Sequence, residues 1–371
     1  MIGQRSGVGR YAAEILKRLP AALPSFVELG FHTILVSKFP PVPLDEVASE
    51  ARRPSLLAAL KRAPLLRPAA RAVSALLARF AIDGELYWAP NHSLPRGVSF
   101  PRNVVTVHDL SWLLHPDWHP ADRVAIFGRD VPRSLARADR VICDSQAIRA
   151  DLIERLRVPP ERVSVVHLGA DPQRFRIRSA TEIAPVLQRF SLGARPFLLS
   201  VGTLEPRKNL ATLLAAWARL GKAERREHEL LIAGGEGWRD GPLRAALQAA
   251  GPSVRVLGRV SEEELACLYA RATALVYPSV YEGFGLPPLE ALACGTLPVV
   301  ADLPVLHEVL GAAAVFYGAP LDTAALEAAL VPLLSGGPAD ASTREQRRSA
   351  RAGFTWEKSA RAHAALFAQL L

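Results

Sequence analysis

Cysteine is scarce in this chain: three in 371 residues, at Cys143, Cys267 and Cys294. They are far apart and odd in number, so no disulfide framework and no metal-binding spacing is present. Each is flanked by apolar residues and reads as a small buried hydrophobe, which fits a reducing cytosol. No apolar run is long enough to span a bilayer, and the residues ahead of the first helical pattern do not read as a signal peptide. No Asp-x-Asp pair occurs. Acidic residues are missing altogether between Ala51 and Phe80, where Arg52, Arg53, Lys61, Arg62, Arg67, Arg71 and Arg79 alternate with leucines. Such a segment can lie on an anionic membrane surface. It is equally the solvated face of two packed helices broken by Pro64 and Pro68.

Apolar residues are plentiful, at 50% of the chain, and the net charge is +9. The length suggests two domains with sizeable cores. The charge suits an anionic partner: nucleotide phosphates, anionic lipid or nucleic acid. The arginines are dispersed, and codon bias alone would account for that.

The stretch from Tyr277 to Asp302, YPSVYEGFGLPPLEALACGTLPVVAD, organises the rest. It reads as a buried strand (Thr273 to Ser279), a turn with Gly283 and Gly285 around Phe284, a helix from Pro287 to about Gly295, and a strand from Thr296 to Ala301. Glu282 falls in the turn and Glu290 in the first helical turn. Glycines before a helix present backbone N–H groups to an anion, and carboxylates beside them accept hydrogen bonds from sugar hydroxyls. The layout therefore suits a phosphorylated sugar. A first-turn acid complementing the helix dipole, and glycines that merely make a turn, fit the same residues.

Gly3, Gly7 and Gly9 open the chain in a loop that leads into a helix from Arg10 to Leu19. Such a loop lets backbone approach a phosphate or a sugar. It normally follows a first strand, so the expectation is a natural start upstream of Met1. A disordered polar N-terminus is the alternative. Phe31 to Lys38 reads as a strand. Further strands are read at Glu85 to Ala89, Asn103 to Val107, Arg137 to Asp144 and Arg162 to His167. Polar residues at strand ends build sites in open α/β sheets, which singles out His108 at His108-Asp109. A satisfied core histidine is the plainer reading.

Regular alternation blurs near Arg174 to Arg195. It resumes with strand Phe197 to Val201, which ends in VGTLEPRKNL. Strands at Glu229 to Ala233, Val254 to Leu257 and Ala313 to Tyr317 then alternate with helices at Asn209 to Leu220, Pro242 to Ala250, Glu262 to Ala272 and Thr323 to Leu334. The fold class is α/β, and the alternation of this second half means a parallel sheet with helices on both faces. Arg207 and Lys208, placed at a helix start, suit a diphosphate, although ordinary surface charge explains them too. The last helix runs from Trp356 to Leu371.

Together, VGTLEPRKNL and YEGFGLPPLEALACGTLPVVA resemble the nucleotide-sugar site of the GT-B-fold retaining glycosyltransferases of family 4. Glu282 and Glu290 match that family's pair of glutamates separated by seven residues. VTVHDLSWLLHP, ADRVICDSQAIRADL, LIAGGEGW and FTWEKSA resemble it as well, so the likeness covers nearly the whole chain. It implies a GT-B architecture of two Rossmann-like domains facing a cleft. Residues 1–185 would form the acceptor-side domain and 195–355 the nucleotide-sugar domain. Residues 356–371 would form a terminal helix crossing back onto the first domain.

The resemblance also implies roles. Arg207 and Lys208 would bind the donor diphosphate and stabilise the leaving group, with Gly202 and Thr203 in the same donor loop. Glu290 would take the donor ribose. Glu282, with the N–H groups of Phe284 and Gly285 beside Gly283, would hold the donor sugar. His108 would support the transition state or a sugar hydroxyl. Gly7 and Gly9 would line the phosphates and acceptor. The family pattern has a strand ahead of Gly3, and its absence puts acceptor binding in question.

No metal or other cofactor is expected, since fixed cations can replace a divalent ion at the leaving diphosphate. The expected mechanism is front-face attack by the acceptor hydroxyl, assisted by the leaving phosphate. The expected donor is GDP-mannose, and the expected acceptor is a glycan or a lipid-linked glycan in cell-surface polysaccharide synthesis. The expected location is the cytoplasm, with peripheral contact at the inner membrane face. No nucleic-acid motif is present. Rival readings are a GT-B-fold sugar-nucleotide epimerase, a glycosidase using Glu282 and Glu290, and a non-catalytic protein binding anionic surfaces.

Overall fold

The computed structural model describes residues 7–19, 26–29, 33–36, 85–96, 100–237, 241–336 and 339–371. The basic segment from Ala51 to Phe80 lies outside the described residues, as does Gly3. In the first half, α1 (Gly7–Arg18) precedes β1 (Phe26–Leu29), β2 (Thr33–Val36), β3 (Leu86–Ala89) and β4 (Arg102–Val107). Then come α2 (Ala121–Arg137), β5 (Arg140–Cys143), α3 (Gln146–Leu156) and β6 (Val163–Val165), and α4 (Ala180–Arg189) leads into the second half.

The second half continues with β7 (Phe197–Val201), α5 (Leu210–Arg219), β8 (Glu229–Ala233), α6 (Gly241–Ala249), β9 (Val254–Gly258) and α7 (Glu262–Arg271). Next are β10 (Ala274–Tyr277), α8 (Leu286–Ala293), β11 (Leu297–Val300), α9 (Pro304–Leu310) and β12 (Val315–Phe316). The chain ends with α10 (Thr323–Ser335), α11 (Ala341–Ala350) and α12 (Trp356–Ala368).

Two six-stranded sheets result, in the orders β1-β2-β3-β4-β5-β6 and β12-β11-β10-β7-β8-β9. The second is parallel throughout. Its central strands bury both faces, and so read as unbroken apolar runs. All four residues of β10 are at most 1% exposed. The first sheet is parallel from β3 to β6. At its other edge β1, β2 and β3 pair antiparallel. β1 and β2 are joined by only three residues, too few for a crossover, so the pair must be antiparallel.

The N-terminal loop expectation is corrected. Gly7 and Gly9 lie inside α1. The apolar stripe Val8, Tyr11, Ala12, Ile15, Leu16 has helical spacing and begins between the two glycines, so the helix takes both in. A side-chain atom at Gly7 would meet open space, and Gly9 is buried.

The last helix crosses back, as the resemblance implied. α12 packs on α1, with Trp356, His363 and Phe367 fully buried against Tyr11, Ile15 and Trp88. The chain passes closely at Gly169, where a Cβ would come within 2.2 Å of the Thr355 carbonyl carbon. A directed hydrogen-bond chain fixes this junction. Trp88 Nε1–H donates to Thr106 Oγ1 at 2.9 Å, and the Thr106 hydroxyl lies 3.0 Å from Tyr11 Oη. Tyr11 Oη lies 2.6 Å from His363 Nε2. His363 Nδ1 faces the Ser359 carbonyl at 2.8 Å, so it carries the proton and Nε2 accepts from Tyr11.

Burial pulls the pKa of His363 from 6.5 down to about 4. The unfolded chain therefore binds a proton that the folded one refuses between these values, and stability falls as pH drops from about 6.5 towards about 4. Replacing His363 with Gln, which still offers Tyr11 an acceptor, should flatten that part of the stability–pH curve. Urea titrations between pH 7 and pH 4 check this, and equal slopes for the two proteins would contradict it.

Candidate active site

The site is built where the two sheets' strand ends meet. From the second half comes the turn between β10 and α8. Gly285 caps α8 with a φ of 97°, and a Cβ there would approach Leu306 Cδ2 at 2.7 Å. The helix starts at Leu286, so Pro287 is its second residue and Glu290 its fifth. Glu290 thus lies beyond the first turn, contrary to expectation, because the left-handed Gly285 lets helical geometry begin one residue early. Prolines occupy two of the first three positions and bring no N–H. The backbone nest for an anion is correspondingly smaller than the glycines suggested, and the positive charge here comes from side chains.

Those side chains follow β7. Arg207 and Lys208 sit in a short 3-10 turn, Pro206–Lys208, that precedes α5 rather than in its first turn. Asn209, with a φ of 52°, separates the turn from the helix, and its amide donates to the carbonyls of Pro278 and Pro320. Gly202 makes room for the lysine stem, since a Cβ there would lie 3.0 Å from Lys208 Cε. Thr203 follows it in the loop after β7, and its carbonyl accepts from Glu205 N–H at 2.8 Å.

Glu282 is the centre of this cluster. Its Oε1 accepts from Lys208 Nζ at 2.5 Å and from the Tyr277 hydroxyl at 2.7 Å. Its Oε2 accepts from Arg207 Nη1 at 3.0 Å. Arg207 is held from the other side by Glu205 Oε1, through Nε at 3.0 Å and Nη2 at 2.8 Å. Burial alone would raise the pKa of Glu282; Arg207 and Lys208 outweigh it and hold the carboxyl down to about 2.

The first half supplies the facing wall. His108 Nδ1 lies 2.7 Å from Asp144 Oδ2, and Nε2 lies 2.8 Å from the Pro90 carbonyl. The Pro90 carbonyl can only accept, so Nε2 carries a proton, and Nδ1 shares one with the Asp144 carboxyl. Burial opposes a charge on the ring, but Asp144 overcomes it and raises the pKa of His108. The Tyr11 ring stands edge-on to it, with centroids 4.7 Å apart. With both nitrogens engaged, His108 leaves no ring nitrogen free for the cleft.

The walls touch through backbone. A Cβ on Gly283 would fall 1.9 Å from the His108 carbonyl oxygen. Ser145 Oγ donates to the Gly283 carbonyl at 2.8 Å, and Leu110 N–H donates to the Tyr281 hydroxyl at 3.0 Å. Phe284 is buried and packs beside His167 and Phe354. The structure thus brings Gly202, Arg207, Lys208, Glu282 and Gly283 together, with His108 opposite. Glu290 is held apart from them: Arg10 Nη1 donates to its Oε1 at 2.5 Å, and the Tyr269 hydroxyl lies 3.5 Å from its Oε2. Sequence reasoning missed Arg10. Its signal was a lone cation directly after the glycine pair of α1. Among the described residues no group of three or more His, Cys, Asp or Glu side chains is gathered to hold a metal.

The family model for group 1 glycosyl transferases matches residues 188–350, and that for glycosyltransferase family 4 matches residues 5–174. The O-antigen chain mannosyltransferase B of Escherichia coli is 34% identical over 362 residues, covering 95% of this chain and 93% of that protein. The chain belongs to glycosyltransferase family 4. Among solved structures, Anabaena HepE in complex with UDP and glucose superposes on the glycosyltransferase with a TM-score of 0.69 at 17% identity, covering 99% of this chain and 97% of that one. WaaG, a glycosyltransferase involved in lipopolysaccharide biosynthesis, gives 0.68 at 16% identity, covering 97% and 96%. These likenesses show the GT-B fold.

A Gly283→Ala substitution tests the contact between the walls. The added methyl cannot coexist with the His108 carbonyl, so the two halves of the glycosyltransferase must part. The expected result is a larger radius of gyration by X-ray scattering, an unchanged melting temperature and a loss of glycosyl transfer of about 100-fold, the scale of an ångström of misplacement. Wild-type scattering and turnover would contradict it.

Proposed function

We propose that this glycosyltransferase moves mannose from GDP-mannose to a hydroxyl of a glycan or lipid-linked glycan, with retention and without a metal, in cell-surface polysaccharide synthesis. The observation that carries the reading is the cluster of Arg207 and Lys208 neutralised by Glu282 at the domain junction. A donor diphosphate arriving there takes over as counter-charge to the two cations, and Glu282 is released to the hydroxyls of the donor sugar. Negative charge that builds on the leaving diphosphate meets fixed cations in a closed cleft. The acceptor oxygen bonds to the anomeric carbon as the carbon–phosphate oxygen bond breaks, and the acceptor proton passes to the leaving phosphate. The full-length similarity to a mannosyltransferase of O-antigen synthesis supports mannose as the sugar and a polysaccharide as the product. A glycosidase needs two carboxyls free to flank one glycosidic bond, whereas Glu282 is engaged by Arg207 and Lys208 and Glu290 by Arg10.

The test is nucleoside-diphosphate release from a panel of GDP-, UDP- and ADP-sugars with methyl α-mannoside as acceptor, in the presence and absence of a chelator. GDP release from GDP-mannose is expected, unaffected by the chelator and reduced in Glu290→Ala. Release only from another donor, or loss with the chelator, would overturn the corresponding part.

No helix among the described residues is long and apolar enough to cross a membrane. Peripheral contact with an anionic membrane through the basic segment 51–80 belongs to the same proposal and suits a lipid-linked acceptor. Replacing Arg52, Arg53, Lys61 and Arg62 by Glu should abolish co-flotation with vesicles containing phosphatidylglycerol at 0.1 M salt, where about 1 kcal/mol per basic residue is at stake. Unchanged flotation would remove this part of the reading.

A further inference from the structure

Asp109 follows His108 at the end of β4, on the wall opposite the donor residues. It touches the junction itself: its Cβ lies 3.3 Å from where a Cβ on Gly283 would sit. One of its oxygens is spent on its own loop. Oδ1 accepts from Ser111 N–H at 2.9 Å and from the Ser111 hydroxyl at 2.7 Å. His119 Nε2, 3.0 Å from the same hydroxyl, then donates to it and fixes its direction. Oδ2 has no hydrogen-bond partner among the described residues. The carboxyl is therefore locked in orientation, with one oxygen left over at the junction.

Charge says what that oxygen takes. Burial would raise the pKa of Asp109; Arg207 from the opposite wall, His92 and the Ser111 bonds outweigh it and keep the group ionised. An ionised carboxylate repels a diphosphate and accepts hydrogen bonds from neutral hydroxyls. The diphosphate cations and Glu282 are on the other wall. A hydroxyl-bearing ligand that reaches Asp109 from its own side is the second substrate.

We propose that Asp109 Oδ2 accepts a hydrogen bond from the acceptor sugar and sets the direction from which its nucleophilic hydroxyl approaches. This rests on the transferase reading above. Asp109 is too weak a base to keep the acceptor proton, which passes to the leaving phosphate. Asp109 therefore orients the acceptor and does not deprotonate it.

Asp109→Asn keeps an oxygen for Ser111 and replaces the free acceptor with an N–H donor. It is tested with GDP-mannose, with and without methyl α-mannoside. The expected result is a fall in kcat/KM for the mannoside of roughly 10- to 100-fold, the scale of a hydrogen bond to a charged group. GDP release without acceptor, the KM for GDP-mannose and the affinity for GDP should stay within about two-fold, which also shows that the variant is folded. Asp109→Glu, which keeps the charge but moves the oxygens, should fall between the two. An unchanged mannoside kcat/KM overturns the proposal, as does a loss confined to the donor KM. If the wild-type enzyme turns over no donor of the panel, the transferase reading falls and this proposal with it.

Discussion

The two halves of this enzyme meet where Gly283 lies against the carbonyl of His108, and the rest of the site depends on that approach. Only a residue without a side chain allows it, because a Cβ would fall 1.9 Å from the oxygen. Ser145 and Tyr281 hold the same approach from either side, one donating to the Gly283 carbonyl and the other accepting from Leu110 N–H. Backbone contact of this kind sets the spacing of the walls more rigidly than side chains can, since no rotamer change relieves it. His108, Asp109 and Asp144 on one wall are thereby fixed relative to Glu282 on the other.

The charges of the junction follow from that closeness. Buried ions are costly unless paired and fully hydrogen-bonded. Here each has its partner carboxyl: Arg207 with Glu205 and Glu282, Lys208 with Glu282, His108 with Asp144. Glu282 is shared by two cations, so it is the member that an incoming anion can replace without leaving either cation bare. A site that must alternate between an empty and a diphosphate-bound state needs such a stand-in. The proposed donor exchange uses a group already there.

Much of this was legible in the sequence, and the reasons are local. β7 and β8 were read to the residue because continuous apolar runs mark strands buried on both faces. The glutamate turn and the Pro-Arg-Lys turn were legible because glycine and proline fix backbone geometry whatever the surroundings. The errors are of a different kind. Gly7 and Gly9 were read as a loop because glycine carries no periodic signal, and the helical stripe beginning at Val8 was given too little weight. The antiparallel pairing of β1, β2 and β3 and the partnership of Arg10 with Glu290, 280 residues apart, are long-range facts that no local pattern encodes. The hydrogen bonding of the His108 ring likewise depends on Pro90 and Asp144, neither of which is its neighbour in sequence.

The pairing of Arg10 with Glu290 ties α1 to the site. A carboxylate has two oxygens, and Arg10 occupies Oε1 of Glu290 at 2.5 Å while Oε2 has only the long contact to Tyr269. An oxygen tied on one side orients the other, as a second partner orients a metal-binding carboxylate. In the proposed reaction Oε2 is therefore the atom available to the donor ribose, and Arg10 aims it. The same helix carries Tyr11, whose hydroxyl closes the chain to His363 and whose ring stands against His108. One turn of α1 thus braces Glu290, His108 and the returning terminal helix. That accounts for its fixed place between α12 and the cleft.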